Sequence, residues 1–208
     1  IKKKNIKKIW LPKFLCASVW DVCKNLKVEI DYYSIDMHFL PVLESTNDWV
    51  YLVNYYGQLS NSKILELQYL YPSLIVDNVQ AYFQAPISGI DTIYTCRKFF
   101  GVTDGAFLYS NIDTRDLGID ESFERLHFVL GRFERSASEF YADFREEEDK
   151  IGEWEILKMS KLTNNLLHAI DYATVEKKRT DNFAYLHDKL STINKLDLLV
   201  PNGAYMYP

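Results

Sequence analysis

The sequence predicts an α/β fold in which a mostly parallel sheet is covered by helices on both faces. Between Lys8 and Ser110, short apolar segments of strand length alternate with segments of helical character. Such alternation requires crossover connections between parallel strands. The chain has 208 residues, of which 48% are hydrophobic and 25% charged. That size suits one well-packed soluble domain with the start of a second.

The predicted strands are short runs rich in apolar and β-branched residues. In chain order they are KIWLP (8–12), VEIDYY (28–33), WVYLVN (49–54), LIVD (74–77), TIYT (92–95) and AFLYS (106–110). Two helices are predicted between them, at about residues 18–26 and 62–70. The second is expected to end before Pro72, because the residue before a proline disfavours helical backbone.

Beyond Asp120 the pattern changes to long helices. Residues 121–149 have apolar side chains at helical spacing and end in the acidic run EEED, which is predicted to be a solvated helix face. Two further helices are predicted at about 160–176 and 180–190.

The closing segment, LLVPNGAYMYP, has the Pro, Gly and Asn content of a linker. We therefore expect residues 1–195 to form a large domain whose N-terminal segment is missing. Residues 196–208 are expected to be a linker or the start of a small C-terminal domain.

Composition excludes several classes of protein. The net charge of −5 gives no electrostatic reason to bind nucleic acid, and no run of eighteen apolar residues predicts a membrane span. The basic N-terminus, IKKKNIKK, has no apolar segment behind it and so does not resemble a signal peptide. An odd cysteine count, three, suits a reducing compartment and predicts a cytoplasmic protein. The four histidines show no metal-ligand spacing, so no metal site is predicted.

Polar residues follow three of the predicted strands. Asn54 ends WVYLVN, Asp77 ends LIVD, and Thr95 ends TIYT three residues before Lys98. Ligands of parallel α/β sheets bind at the carboxyl ends of the strands. Alone, Asp77 is more typical of a turn or helix cap and Lys98 of a surface lysine. Together and in this order they indicate a pyridoxal phosphate (PLP) site, where a lysine holds the cofactor as a Schiff base and a carboxylate keeps its pyridine nitrogen protonated.

The chain resembles the large domain of the DegT-type sugar aminotransferases, a family of fold-type-I PLP enzymes. Asp77 and Gln80 in DNVQA match the family's aspartate and its glutamine three residues later, and Lys98 in RKFFG matches its lysine. The sequence GVTDGA stands at the family's glycine-rich turn. VNYYG resembles its short strand end, with Asn54 where a histidine is common. The resemblance implies a three-layer PLP-transferase large domain.

The resemblance also implies roles for these residues. Lys98 would be the catalytic residue, moving a proton at the substrate's α-carbon, and burial would suit it to that work. Asp77 would pair with the pyridine nitrogen and Gln80 would bond the ring's 3′-oxygen, while Asn54 would lie at the cofactor. The direction of Arg97 stays open, because neighbours on an extended segment point to opposite faces.

One departure from the family concerns the cofactor's phosphate. A serine usually stands five residues before the lysine and binds that phosphate, and this position is Ile93. Thr92 or Thr95 is expected to substitute, with Thr95 preferred.

The expected function is a PLP-dependent aminotransferase that uses glutamate as amino donor and a nucleotide-linked keto sugar as acceptor. The resemblance implies a homodimer whose active sites draw on both subunits. Two alternatives stay open. A PLP enzyme of another type, such as a sugar dehydratase, is disfavoured because such relatives tend to replace the lysine with histidine. A non-catalytic homologue acting as a binding or scaffolding protein is suggested by Ile93.

Overall fold

The computed structural model describes residues 1–150 and 155–208. These described residues contain seven strands, namely β1 (Lys8–Pro12), β2 (Glu29–Ile35), β3 (Pro41–Val42), β4 (Trp49–Val53), β5 (Leu74–Asp77), β6 (Asp91–Thr95) and β7 (Ala106–Tyr109). They form one sheet in the order β3-β2-β1-β4-β5-β6-β7. The neighbours from β2 to β6 pair in parallel, whereas β3 pairs antiparallel with β2. The predicted α/β class with a mostly parallel sheet is confirmed.

The helices of the described residues are α1 (Ala17–Asn25), α2 (Asn61–Leu70), α3 (His127–Glu134), α4 (Tyr141–Lys150), α5 (Lys161–His168) and α6 (Tyr172–Leu190). None of these helices has the length and apolar character that a membrane crossing requires. The chain divides into two compact units. The first unit comprises residues 1–95, 107–112 and 171–208, and the second unit comprises residues 96–106 and 113–170.

In the first unit, helices cover both faces of the sheet. On one face Cys23 of α1 and Phe183 of α6 belong to a buried cluster with Tyr51 and Val53 of β4. On the other face α2 contributes Ile64 and Leu67, which pack with Val50 and Leu52 of β4. Because successive strand residues point to opposite faces, β4 needs apolar residues at nearly every position. This arrangement confirms the prediction of helices on both faces.

The C-terminal segment packs against the rest of the first unit. The Gln58 side chain makes two hydrogen bonds with the backbone of Leu199. Its Oε1 accepts from the Leu199 N–H at 2.8 Å, and its Nε2 donates to the Leu199 carbonyl at 3.0 Å. Leu198 and Ala204 are buried in the same core cluster as Tyr51. Residues 196–208 thus belong to the first unit, and the domain boundary at residue 195 stays a prediction.

The predicted helix over residues 121–149 is wrong, because the chain turns back in its middle. α3 ends at Glu134, Arg135 is extended, and α4 starts at Tyr141. The ring of Phe140 lies directly against Gly131, where a Cβ atom would overlap it. Gly131 therefore has a packing role that spacing alone did not reveal.

The predicted helix over residues 160–176 is also interrupted. α5 ends at His168, and Asp171 begins α6 as an N-cap, its carboxylate accepting from the Thr174 N–H at 3.1 Å. An aspartate cap satisfies a backbone donor that has no partner within the helix. The predicted helix at 180–190 is thus the second half of α6.

The second unit is organised around Asp104, a buried carboxylate in the GVTDGA turn. Its oxygens accept from the backbone N–H of Ser160 at 2.8 Å, from the Ser160 hydroxyl at 3.0 Å and from the hydroxyl of Thr163. Ser160 in turn caps α5 by accepting from the Thr163 N–H at 3.0 Å. Gly105 has φ of +103°, and a Cβ there would lie 3.0 Å from the Thr163 methyl group. The turn therefore holds the start of α5.

Replacing Asp104 with asparagine is expected to lower the stability of the second unit at pH 7 by about 1–3 kcal/mol. Burial alone would raise the pKa of Asp104, but the hydrogen bonds from Ser160, Thr163 and Ser122 together hold it below its ordinary value. In the unfolded protein this carboxyl has a pKa of roughly 4, and in the folded protein its pKa is lower. The ionised carboxylate therefore stabilises the folded protein at pH values above the unfolded pKa, and this stability is lost as the pH falls below it. Urea unfolding and hydrogen exchange of the α5 amides, at pH 7 and pH 3, measure both effects.

The matched control is Asp113→Asn in the same unit, since this carboxylate is exposed and bonds Arg115 at the surface. We expect it to change stability by less than about 0.5 kcal/mol. Equal stability of Asp104→Asn and the unsubstituted protein at pH 7, with the same acid dependence, would contradict the assignment.

Candidate active site

The carboxyl ends of β4, β5 and β6 lie side by side in the first unit. Val53 pairs with Asp77, and Asp77 pairs with Ile93. The ladder continues past the strands, where the Asn54 N–H donates to the Asp77 carbonyl at 3.0 Å. Asn54, Asp77 and Thr95 therefore occupy the same edge of the sheet, as their positions at strand ends predicted.

Asp77 is a buried carboxylate, 4% exposed, at the end of a central strand. Its Oδ2 accepts from the Tyr51 hydroxyl at 2.8 Å, and its Oδ1 accepts from the Val79 N–H at 2.9 Å. A buried carboxylate at the carboxyl end of a parallel strand lies where ligands of such sheets bind, and its charge suits it to a cationic group of a ligand.

Asn54 is completely buried, and its side chain makes contacts within the protein. Its Oδ1 accepts from the Leu59 N–H at 2.8 Å, and its Nδ2 lies 3.0 Å from Asn78 Oδ1 and 2.8 Å from Gln84 Oε1. These bonds tie the end of β4 to the chain that follows Asp77. The structure thus gives Asn54 a role in holding this loop, and its contact with a cofactor stays a prediction.

Gln80 is half-buried on the turn after Asp77, and its amide has a defined direction. Its Oε1 accepts from the Tyr56 N–H at 3.0 Å, which leaves its NH₂ group turned the other way as a donor. Tyr56 has φ of +55°, a left-handed conformation that is strained for a bulky residue. Gln80 therefore stabilises an unusual backbone bend beside the strand end.

The two threonines near Ile93, Thr92 and Thr95, differ in burial. Ile93 packs against the core cluster. The Thr92 hydroxyl is buried and donates to the Ile90 carbonyl at 3.2 Å. Thr95 is half-buried at the end of β6. Of the two threonines, Thr95 is the better placed to contact a ligand at the strand ends.

Lys98 belongs to the second unit, in a turn that follows β6. The N–H groups of Phe99 and Phe100 both donate to the Cys96 carbonyl, at 3.1 and 2.9 Å, and Cys96 and Phe99 are buried. Lys98 between them is exposed, so the expectation that it is buried is wrong for this chain. The turn buries its flanking residues and leaves the lysine at the surface.

The open question about Arg97 is answered within the second unit. Its guanidinium forms an ion pair with Glu148 of α4. Arg97 and Lys98 are thus used differently, because the arginine binds a carboxylate of its own chain.

Sequence reasoning missed Tyr51, whose hydroxyl contacts Asp77, and the carboxamide network around Asn54. Tyr51 stands in the apolar run of β4 and is buried, with 6% of its surface exposed, so it resembled a core aromatic residue. If β4 and β5 are taken as neighbours, Val53 pairs with Asp77 and Tyr51 lies two residues before Val53, on the same face of the sheet. This register was the available signal that Tyr51 lies near Asp77.

The fold and the strand-end residues define an α/β protein with a polar site at the carboxyl edge of a parallel sheet. The structure is similar to that of the sugar aminotransferase CalS13 from Micromonospora echinospora, with a TM-score of 0.56 and 14% sequence identity. The similarity covers 96% of this chain but 60% of that one, so the chain spans less than two thirds of that protein. At this identity the similarity shows the fold alone.

Two further solved structures show weaker similarity. A NifS-like protein from Rickettsia africae ESF-5 has a TM-score of 0.45 and 16% identity over 93% of this chain and 56% of that one. BacF from Bacillus subtilis has a TM-score of 0.39 and 13% identity over 88% and 49%. Both scores are too low to support an argument. No family model and no curated protein matches the sequence.

Proposed function

We propose that the protein is a PLP-dependent aminotransferase of the DegT type, transferring an amino group from glutamate to a nucleotide-linked keto sugar. The observation that carries the proposal is the environment of Asp77. Its carboxylate is buried at the end of a central parallel strand, where the Tyr51 hydroxyl and the Val79 N–H donate to its two oxygens. The fold shared with a sugar aminotransferase supports the proposal.

The residues of the first unit fit the ring of the cofactor. PLP, when bound, supplies a protonated pyridine ring that withdraws electrons from the substrate's α-carbon. Asp77 would hold the ring nitrogen and keep a proton there. The NH₂ group of Gln80, directed by the Tyr56 N–H, would donate to the ring's 3′-oxygen. Thr95 would donate to the phosphate, since the Thr92 hydroxyl already bonds the Ile90 carbonyl.

Lys98 is proposed as the catalytic residue. Its amine would hold the cofactor covalently, and it would move a proton at the α-carbon of the amino donor. The turn between Cys96 and Gly105 is closed by the Cys96 N–H, which donates to the Gly105 carbonyl at 3.0 Å. A closed turn limits the lysine's backbone motion, which favours a catalytic role.

The proposal extends to the partners. The protein would bind a keto sugar nucleotide and an amino acid, act in the cytoplasm, and form a homodimer without binding nucleic acid or a membrane.

Adding PLP to the purified full-length protein is expected to give a yellow, lysine-linked chromophore that gel filtration does not remove. L-glutamate should then discharge the colour and release 2-oxoglutarate, because the amino group passes to the cofactor. Absorbance spectra and an assay for 2-oxoglutarate measure the two results. A protein that stays colourless with excess PLP would contradict the proposal.

The second candidate function is a non-catalytic homologue with a binding or scaffolding role, and the observation that favours it is Ile93. This side chain packs against the core cluster where the resembled family has a phosphate-binding serine. Such a protein would take up no PLP, so the same experiment separates the two candidates.

A further inference from the structure

Tyr51 reaches Asp77 diagonally across two paired strands. In the register of β4 and β5, Tyr51 pairs with Ile75 and Val53 pairs with Asp77. Residues two apart on a strand point to the same face, so the ring of Tyr51 extends towards the carboxylate that stands beside Val53. The hydroxyl ends 2.8 Å from Asp77 Oδ2.

The Tyr51 hydroxyl acts as a hydrogen-bond donor under ordinary conditions. Burial, and next the charge of Asp77, raise the pKa of Tyr51 well above its usual value, so the phenol keeps its proton. The backbone of Tyr51 is fixed as well. β1 pairs with β4 as far as Val50, and beyond that point the Tyr33 hydroxyl donates to the Tyr51 carbonyl at 2.7 Å.

We propose that Tyr51 is a positioning residue that keeps Asp77 ionised and thereby holds the proton on the cofactor's pyridine nitrogen; this inference rests on the proposed function. Where a carboxylate and a pyridine nitrogen share one proton, a hydrogen bond donated to the carboxylate stabilises its charged form. The proton then stays on the nitrogen. Without the phenol, the buried carboxylate competes more strongly for that proton.

The test compares Tyr51→Phe with Tyr71→Phe in full-length protein loaded with ¹⁵N-labelled PLP. Both tyrosines are buried, and each substitution removes one hydroxyl and the hydrogen bond that it donates, which for Tyr71 goes to the Leu43 carbonyl at 2.8 Å. In the wild type we expect the ring nitrogen to resonate as a pyridinium. In Tyr51→Phe it should move towards the position of neutral pyridine, and the dissociation constant of PLP should rise about tenfold. Tyr71→Phe should keep the wild-type nitrogen signal and bind PLP within about twofold, because its hydroxyl bonds the Leu43 carbonyl.

A second measurement needs no substitution. In the wild-type apoprotein the Tyr51 hydroxyl proton should give a downfield, slowly exchanging NMR signal that moves when PLP is added. Circular dichroism confirms that each variant is folded. PLP binding with the same nitrogen signal in Tyr51→Phe as in the wild type, or a hydroxyl signal that PLP leaves in place, would overturn the inference alone. A wild-type protein that takes up no PLP would overturn the proposed function, and the inference with it.

Discussion

Substituting Lys98 by alanine is expected to abolish covalent PLP attachment and to lower the rate of amino transfer by about a thousandfold or more. General acid–base catalysis alone contributes typically 10²–10⁴, and the variant also loses the covalent attachment. Stability should change by less than about 0.5 kcal/mol, because Lys98 is exposed. Borohydride reduction followed by peptide mapping locates the pyridoxyl group, and single-turnover assays with L-glutamate measure the rate.

The matched control is Lys178→Ala on α6. It removes another exposed lysine, from a helix in which alanine is well tolerated. This variant should bind PLP at Lys98 and react like the unsubstituted protein. A pyridoxyl group found on another lysine, or full activity in Lys98→Ala, would refute the proposed catalytic residue.

The strands could be predicted from the sequence because their patterns are local. LIVD and KIWLP became β5 and β1 with the predicted bounds, because runs of four and five residues have the length of a strand and are short for a helix. The antiparallel strand β3 was missed. It has two residues, Pro41 and Val42, and is too short to show a period.

The helices after Asp120 could be predicted in composition but not in extent. Helical spacing continued across residues 135–140, where the chain folds back so that Phe140 can pack on Gly131. Because this contact is tertiary, it does not change the spacing of apolar residues in the sequence. Asp171 is a typical N-cap residue and could have indicated the start of α6. The prediction instead followed the apolar spacing, which continues on both sides of Asp171.

The candidate site was predictable where it depends on strand ends. Asp77 and Asn54 lie together because parallel neighbours end at one edge of a sheet. The contacts that use these residues were not predictable. Asp77 accepts a hydrogen bond from the Tyr51 hydroxyl on the neighbouring strand, and Asn54 bonds the loop after Asp77. Both contacts depend on side-chain directions, which cannot be read from a single sequence. The exposure of Lys98 could not be predicted either, because it follows from the burial of its neighbours Cys96 and Phe99 in the turn.

Replacing Asp77 with asparagine is expected to lower the rate of amino transfer by about a hundredfold to a thousandfold, with the fold retained. Removing one well-placed electrostatic partner of a reacting group costs rates of this order, and the neutral amide no longer favours a proton on the ring nitrogen. The fold should persist, because the amide oxygen can accept from the Val79 N–H while the Tyr51 hydroxyl accepts from the amide NH₂. Single-turnover rates with L-glutamate and thermal unfolding measure both properties.

The sharpest control is Asp91→Asn, at the opposite end of the neighbouring strand. Asp91 is also buried in the first unit, where it forms an ion pair with Lys4 at 2.7 Å and accepts from Ser110 at 2.6 Å. Losing a charged partner from a buried pair destabilises, so Asp91→Asn should unfold at lower temperature than Asp77→Asn. Per folded molecule it should react at the normal rate, since the amino ends of parallel strands lie away from the ligand edge. Equal rates in the two variants would show that Asp77 contributes to the fold rather than to the chemistry.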